Sequence, residues 1–248
     1  MNILLTNDDG ILAPGIAAAY KELVKLGDVT VVAPADRMSG AGHSITVYEP
    51  LVCEKLKIED QFSGYSVSGS PADCVKLAIM ELCPKKPDLV VSGINNGANV
   101  GINVYYSGTV AAAMEAAFYK IPAIALSATH EEQTDFKNAA KHCVKVIEKL
   151  LPASFGGVVN INIPRLSQGE PKGVKVVPQS TMGFDEHFVK KQSDTGQTLY
   201  QLTGGSHRDK DLPSDTVALN EGFITVTALG FDMTDYNGMK KLHQINLW

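Results

Sequence analysis

Short apolar runs alternate with amphipathic stretches through residues 1–164 of the chain. Five runs have the length and composition of buried strands, at 3–5, 29–33, 89–91, 123–126 and 158–163. Helical patterns lie between them at 14–26, 71–82, 108–119 and 135–151, and short strands of an irregular insert are expected at 45–47, 51–56 and 65–68. This alternation predicts βαβ units, and therefore an α/β fold with a Rossmann-like, doubly wound and mostly parallel sheet.

The pattern changes after Pro164, and we predict a core at 1–164 followed by a closing segment of the same domain at 165–248. Two β-prone segments, 184–188 and 198–203, predict a hairpin with its turn at 193–197. A short helix at 215–220 and a last strand at 223–227 are expected to follow. An isolated hairpin is marginally stable, so we expect this one to pack against another surface such as a second subunit.

The composition of the chain limits the partners and the cellular location that can be expected. The 248 residues carry a net charge of −5, from 22 Lys and Arg against 27 Asp and Glu, which argues against a polymeric nucleic acid as partner. A small phosphorylated substrate stays possible, because a metal ion can supply local positive charge. The four cysteines form no C-x-x-C pair and are expected to be buried, reduced thiols. No signal peptide and no membrane-spanning stretch are visible, so a cytoplasmic location is expected.

Two adjacent carboxylates follow the first predicted strand. Asp8 and Asp9 stand before Gly10, at the strand end where open α/β sheets bind their ligands. Paired carboxylates of this kind can bind Mg²⁺ or Mn²⁺. They can equally cap a helix or shape a turn, and this segment by itself does not decide between the two.

Two further loops carry polar side chains at strand ends. In the loop 33–46, Ser39 can offer a hydroxyl to a metal or phosphate, and His43 can contact a phosphate or act as an acid, although a loop histidine is often only solvated. The loop 92–107 is rich in glycine and asparagine, with Asn95, Asn96 and Asn99 as candidates. A structureless stretch of this length is usually functional.

The loop 92–107 leads into a helix through Ser107, Gly108 and Thr109. Backbone N–H groups at a helix start, joined by two hydroxyls, can hold a phosphate, although Ser107 can also be only a helix cap. Two carboxylates, a serine and an asparagine from adjacent strand ends would form an oxygen-rich site suited to Mg²⁺ or Mn²⁺ and a substrate phosphate. Metal-assisted phosphoryl transfer to water is the chemistry favoured, since no Walker or G-x-G-x-x-G motif is present.

The ordered motifs resemble those of the SurE (survival protein E) nucleotidases. The matching segments are TNDDG at 6–10, the loop 33–46, SPADCV at 70–75 and SGINNGANVG with YSGTVAAAMEA between 92 and 116. The hairpin at 184–205 and the strand at 225–227 also look like the family's. Three positions depart from the expected pattern, at Met38, Ser70 and Asn103.

The resemblance implies a metal-dependent phosphatase for nucleoside 5′- and often 3′-monophosphates, with polyphosphate as a further substrate in some members. By position it places one divalent ion per subunit on Asp8, Asp9, Ser39 and Asn95, and the phosphate on Ser107, Gly108 and Thr109. It also implies homodimers or homotetramers that exchange carboxyl-terminal segments. The expected reaction is attack of metal-activated water on phosphorus, with Asp8 or Asp9 accepting the proton. A non-catalytic nucleotide-binding module and a phosphotransferase or isomerase are the alternatives.

Overall fold

The computed structural model describes residues 1–58, 61–153, 156–207, 209 and 213–245. Its strands are β1 (Asn2–Thr6), β2 (Asp28–Pro34), β3 (Cys53–Ile58), β4 (Phe62–Val67), β5 (Leu89–Asn96), β6 (Ala123–Ala128), β7 (Val158–Ile163), β8 (Val174–Val176), β9 (Phe184–Gln192), β10 (Thr198–His207) and β11 (Ile224–Leu229). Its helices are α1 (Pro14–Leu23), α2 (Pro71–Leu77), α3 (Gly108–Phe118), α4 (Phe136–Leu150), α5 (Asp215–Asn220) and α6 (Tyr236–Leu242).

A nine-stranded sheet forms the centre of the fold, in the order β3-β4-β2-β1-β5-β6-β7-β11-β8. The strands from β4 to β7 are parallel, while β3 and β11 run antiparallel to their neighbours β4 and β7. The predicted doubly wound and mostly parallel sheet is therefore confirmed. The chain builds outward from β1 in one direction through β2 and β4, and then in the other direction through β5, β6 and β7.

Helices cover both faces of this sheet. Helices α1 and α4 pack on one face over Ile3 and Leu5 of β1, while α2 and α3 pack on the other face over Leu4. Successive residues of a strand point to opposite faces of the sheet. Because helices cover both faces, every residue of the apolar run in β1 is buried. This burial fixes the central strand, from whose end Asp8 and Asp9 project.

Several boundaries differ from the predictions. Residues 45–47 form no strand, because Thr46 is bonded to the Asp73 side chain rather than to a neighbouring strand. Strand β5 continues through Asn96, so the predicted loop at 92–107 begins five residues later than expected, and it also contains a short 3₁₀ helix, Gly101–Tyr105. Helix α1 ends at Leu23 rather than 26, and β8 and α6 are additional elements. All four cysteines are free thiols, and Cys74 and Cys143 are buried as predicted, but Cys83 is only half-buried and Cys53 is exposed on edge strand β3.

The predicted hairpin forms a separate two-stranded sheet. Strands β9 and β10 pair antiparallel, and the turn is closed by a hydrogen bond from the Ser193 amide to the Gln197 carbonyl oxygen. Phe188, Tyr200 and Leu202 are exposed on it. The hairpin thus presents apolar surface that the rest of the described chain does not cover. Among the helices the structure describes, none is long and apolar enough to cross a membrane.

Candidate active site

The candidate ligands follow or end three neighbouring strands at the centre of the sheet. Strand β1 lies between β2 and β5. The chain first builds the sheet on the β2 side of β1 and then crosses to the β5 side. Such a topological switch point opens a crevice at the carboxyl ends of the strands. Asp8 and Asp9 follow β1, Ser39 follows β2, and Asn95 lies near the end of β5.

Asp8 is a buried carboxylate held by the start of α3. It is 3% exposed, and its Oδ1 accepts a hydrogen bond of 2.6 Å from the Thr109 hydroxyl. Burial raises the pKa of Asp8 above its ordinary value, the Thr109 hydrogen bond opposes this shift, and the charge of Asp9 adds to it. A buried carboxylate of raised pKa beside a second carboxylate is an electrostatic arrangement that a bound cation stabilises.

Gly108 keeps the space beside Asp8 clear. A Cβ at this position would lie 2.9 Å from Asp8 Cβ and 3.2 Å from its Oδ2. Only glycine therefore lets the first turn of α3 approach the carboxylate this closely. The Ser107 side chain accepts a hydrogen bond from the Val110 amide, which confirms its predicted helix cap. The cap occupies the Val110 amide, and the Thr109 backbone N–H interacts with the Asp8 carboxylate, so only part of the first turn is left for an anion.

Asp9 and Ser39 are linked through Arg37. The Arg37 Nε lies 3.2 Å from Asp9 Oδ1 and donates a hydrogen bond of 2.8 Å to Ser39 Oγ. The two candidate ligands from different loops therefore lie within reach of one nitrogen atom. The other oxygen of Asp9, Oδ2, accepts the Asn96 backbone N–H at 3.1 Å, which ties the first loop to β5.

A bulge in β5 lies immediately before Asn95. Pairing of β5 with β6 shifts register between Ser92 and Asn95, and such bulges re-aim the side chains next to them. Gly93 permits the bulge, since its φ is +136° and a Cβ there would lie 2.2 Å from the Leu126 carbonyl oxygen. The Asn95 Nδ2 donates to the Gly97 carbonyl oxygen at 2.8 Å, so the amide oxygen Oδ1 is the end that is able to act as a metal ligand.

The other two asparagine candidates of this loop are held by protein groups. The Asn96 Oδ1 lies 2.9 Å from the Thr134 hydroxyl and 3.1 Å from His130 Nδ1, both in the segment after β6. The Asn99 Nδ2 donates to Ser127 Oγ at 2.8 Å, and Asn99 is buried. Asn99 therefore anchors the loop to the sheet. Its contact with substrate, like that of Asn96, stays a prediction.

His43 lies further along α3, away from its first turn. Its Nε2 is 2.9 Å from Glu115 Oε2, and the Lys76 Nζ is 2.6 Å from the other oxygen of Glu115. Burial raises the pKa of Glu115, but the hydrogen bonds from His43 and Lys76 outweigh it and hold this pKa below its ordinary value. An ion-pair network centred on the buried Glu115 carboxylate thus fixes the histidine against α3.

Two aspartates that position the loops were missed as site residues. Asp73 completes the capping box of Ser70 and also accepts hydrogen bonds from the amide and hydroxyl of Thr46. Asp215 is fully buried and accepts the Gly101 and Ser180 amides, so it joins the third loop to the closing segment. The sequence contains a signal for Asp73, since it is an acidic residue at a helix start. It contains no signal for the residues that bind to Asp73 or to Asp215.

The donor set fits a hard divalent cation. Asp8, Asp9, Ser39 and Asn95 offer carboxylate, hydroxyl and amide oxygens, which suit Mg²⁺ or Mn²⁺ better than softer metals. Among the residues that the structure describes, no group of three or more His, Cys, Asp or Glu could hold a metal. Binding of a cation by these four residues stays a prediction.

Comparison with known proteins identifies the family of this chain. The family model for survival protein SurE matches residues 3–186. The chain belongs to the SurE family. Relatives from Desulfitobacterium hafniense and Christiangramia forsetii, both named 5′-nucleotidase SurE, are 44% and 43% identical to it, over 98% and 99% of this chain and 96% of each relative.

A solved structure of the SurE family has the same fold. The crystal structure of SurE protein from Aquifex aeolicus superposes with a TM-score of 0.85 at 40% sequence identity, covering 98% of this chain and 99% of that chain. The family match includes the three loops that form the crevice and extends into β9. The resemblance inferred from the sequence motifs is thereby confirmed.

Proposed function

We propose that this protein is a metal-dependent phosphomonoesterase that hydrolyses nucleoside 5′-monophosphates to nucleoside and phosphate. The observation that carries the proposal is that Asp8 is bonded to Thr109 at the amino-terminal end of α3, while Asp9 and Ser39 both contact Arg37 and Asp9 accepts the amide of Asn96, the residue after Asn95. A cation site directly beside an anion-binding helix start suits a phosphate ester. The nucleotidase names of its full-length relatives support the same class.

Each group has a distinct proposed role. A bound Mg²⁺ or Mn²⁺ supplies Lewis-acid polarisation of a phosphate oxygen and of the attacking water. Asp8, Asp9, Ser39 and Asn95 hold the ion, and one of the two aspartates accepts the proton of the water. Ser107, Gly108 and Thr109 stabilise the equatorial phosphate oxygens through the first turn of α3. The remaining candidate substrate contacts are Asn96, Asn99 and His43.

The proposal extends to further substrates and to assembly. We include nucleoside 3′-monophosphates and short polyphosphates as substrates, since these share the phosphate group that the α3 start would bind. We also propose a homodimer or homotetramer with hairpin exchange between subunits. The exposed Phe188, Tyr200 and Leu202 of the hairpin support this assembly, because apolar surface of this kind is usually buried on a partner.

The test measures inorganic phosphate released from adenosine 5′- and 3′-monophosphate and from tripolyphosphate. The purified protein is assayed with EDTA, with Mg²⁺ and with Mn²⁺, and an added alcohol acceptor detects phosphoryl transfer. We expect metal-dependent release of free phosphate from the 5′-nucleotide. Nucleotide binding without phosphate release would instead indicate a binding module, and a phosphorylated alcohol as the main product would indicate a phosphotransferase.

A further inference from the structure

A cavity of about 420 Å³ lies along α3, beginning at the phosphate segment. One face of α3 forms its floor, since residues three or four positions apart share a helix face. The floor residues are Ser107, Val110, Ala111, Met114 and Phe118. The walls come from His43, Tyr105 and Gln179 and from residues 228–233, which end β11 and follow it. We call this space the α3 cavity.

The two ends of the α3 cavity differ in chemistry. The Ser107 end carries the helix start and a hydroxyl group. The other end is aromatic, because the rings of His43 and Phe118 stack with centroids 5.4 Å apart and 8° between their planes. Phe231 packs edge-on against Phe118 at 5.5 Å and 87°. Side chains of a helix lean toward its amino-terminal end. The Phe118 ring therefore lies over the part of the cavity floor between Phe118 and Ser107.

The aromatic end is rigid yet accessible. His43 is fixed by the buried Glu115 carboxylate at 2.9 Å, and Lys76 completes the ion-pair network. Phe118 and Phe231 are nevertheless 52% and 49% exposed in the described structure. A flat ligand can pack against these two half-exposed rings, and little conformational entropy is lost because the rings are already held in place.

We propose that the α3 cavity binds the nucleoside of the substrate, with the base against Phe118 and Phe231 and the phosphate at the Ser107 end. This inference rests on the proposed nucleotidase function and adds the location of base recognition to it. Stacking accepts all bases, because each has a π face. The α3 cavity therefore predicts broad base tolerance, together with discrimination against phosphate esters that lack a base.

The test compares adenosine 5′-monophosphate with ribose 5-phosphate, which has the same ester but no base. Phe118→Ala and Phe231→Ala are expected to raise KM for the nucleotide about fivefold or more, the range measured for loss of one base–aromatic stack. KM for ribose 5-phosphate, or its inhibition constant against the nucleotide, should stay unchanged. Tyr48→Ala is the matched control, since Tyr48 is 96% exposed and does not line the cavity.

Two outcomes would overturn the inference. Equal effects of Phe118→Ala on both ligands, or no effect on either, would show that the base binds elsewhere. A shift in oligomeric mass by light scattering, with KM for the nucleotide unchanged, would show that a second copy of the chain covers these rings. If the wild type releases no phosphate at all, the nucleotidase proposal fails separately. The same variants are then compared by calorimetry for affinity toward the two ligands, and equal losses would overturn the cavity assignment.

Discussion

The hydrogen bond between Thr109 and Asp8 gives the most quantitative prediction. Both side chains are buried, at 0% and 3% exposure, and the bond is 2.6 Å long. Replacing Thr109 by Val keeps the shape of the side chain but removes the only proton it can donate. Water cannot take its place at a buried carboxylate without rearrangement of the first turn of α3.

The expected loss follows from the chemistry of that bond. Hydrogen bonds to charged groups contribute about 1.5–3 kcal/mol, and the variant leaves the carboxylate oxygen unsatisfied. Thr109→Val should therefore lower the free energy of unfolding by about 1.5–3 kcal/mol at neutral pH. Thr109→Ser retains the hydroxyl and loses one methyl group, which costs about 0.8 kcal/mol.

Urea denaturation of the three proteins without added metal measures these differences, provided that their m-values agree. The reasoning predicts the order wild type, then Thr109→Ser, then Thr109→Val. It would be refuted if Thr109→Val lay within about 0.5 kcal/mol of the wild type, the scatter of neutral surface substitutions. It would also be refuted if the serine variant were as unstable as the valine variant, since the hydroxyl would then contribute nothing.

Three further predictions concern the bulge, the ion-pair network and the cation. Gly93→Ala places a Cβ 2.2 Å from the Leu126 carbonyl oxygen at a φ of +136°, so we expect a loss of at least about 2 kcal/mol in urea denaturation; a loss below about 0.5 kcal/mol would contradict the bulge geometry. Glu115 has a lowered pKa, so its contribution to stability is present above the unfolded-state pKa and is lost as pH falls through the folded-state value. Glu115→Gln should therefore lose less stability than the wild type on acidification below about pH 4.5, and parallel pH profiles would contradict this. Mn²⁺ at about 100 times its Kd should stabilise the wild type by about 2.7 kcal/mol, measured as a rise in Tm, whereas Asp8→Asn should show little rise; equal shifts would place the cation elsewhere.

Sequence patterns predicted the core of the fold because both faces of the sheet are covered. Mainly apolar runs such as β7 and amphipathic patterns such as α4 are typical of buried strands and of helices that cover a sheet, and their predicted bounds agree closely with the structure. Strand β8 was missed because it has three residues and pairs only with β11 at the sheet edge. Helix α6 was missed because it has seven residues and none of them is buried in the described chain, so burial imposes no clear pattern on its sequence.

The candidate site was predictable in its residue types but not in its contacts. Asp8, Asp9, Ser39 and Asn95 were identifiable because each follows or ends a strand that meets the same sheet edge. The extension of β5 to Asn96 was not, since the bulge at Gly93 lets a polar, glycine-containing segment continue the sheet. The bond from Asp215 to Gly101 spans 114 residues, and one sequence contains no local signal for a contact of that range. The division of the chain at residue 164 stays a prediction.

The central claim is that Asp8 belongs to a cation site that hydrolyses a phosphate ester. Phosphate release from adenosine 5′-monophosphate in Mn²⁺, measured side by side for the wild type and Asp8→Asn, tests it most directly. Thermal unfolding shows that both proteins are folded. We predict metal-dependent release by the wild type and almost none by Asp8→Asn. Full metal-dependent activity of a folded Asp8→Asn protein would contradict the claim.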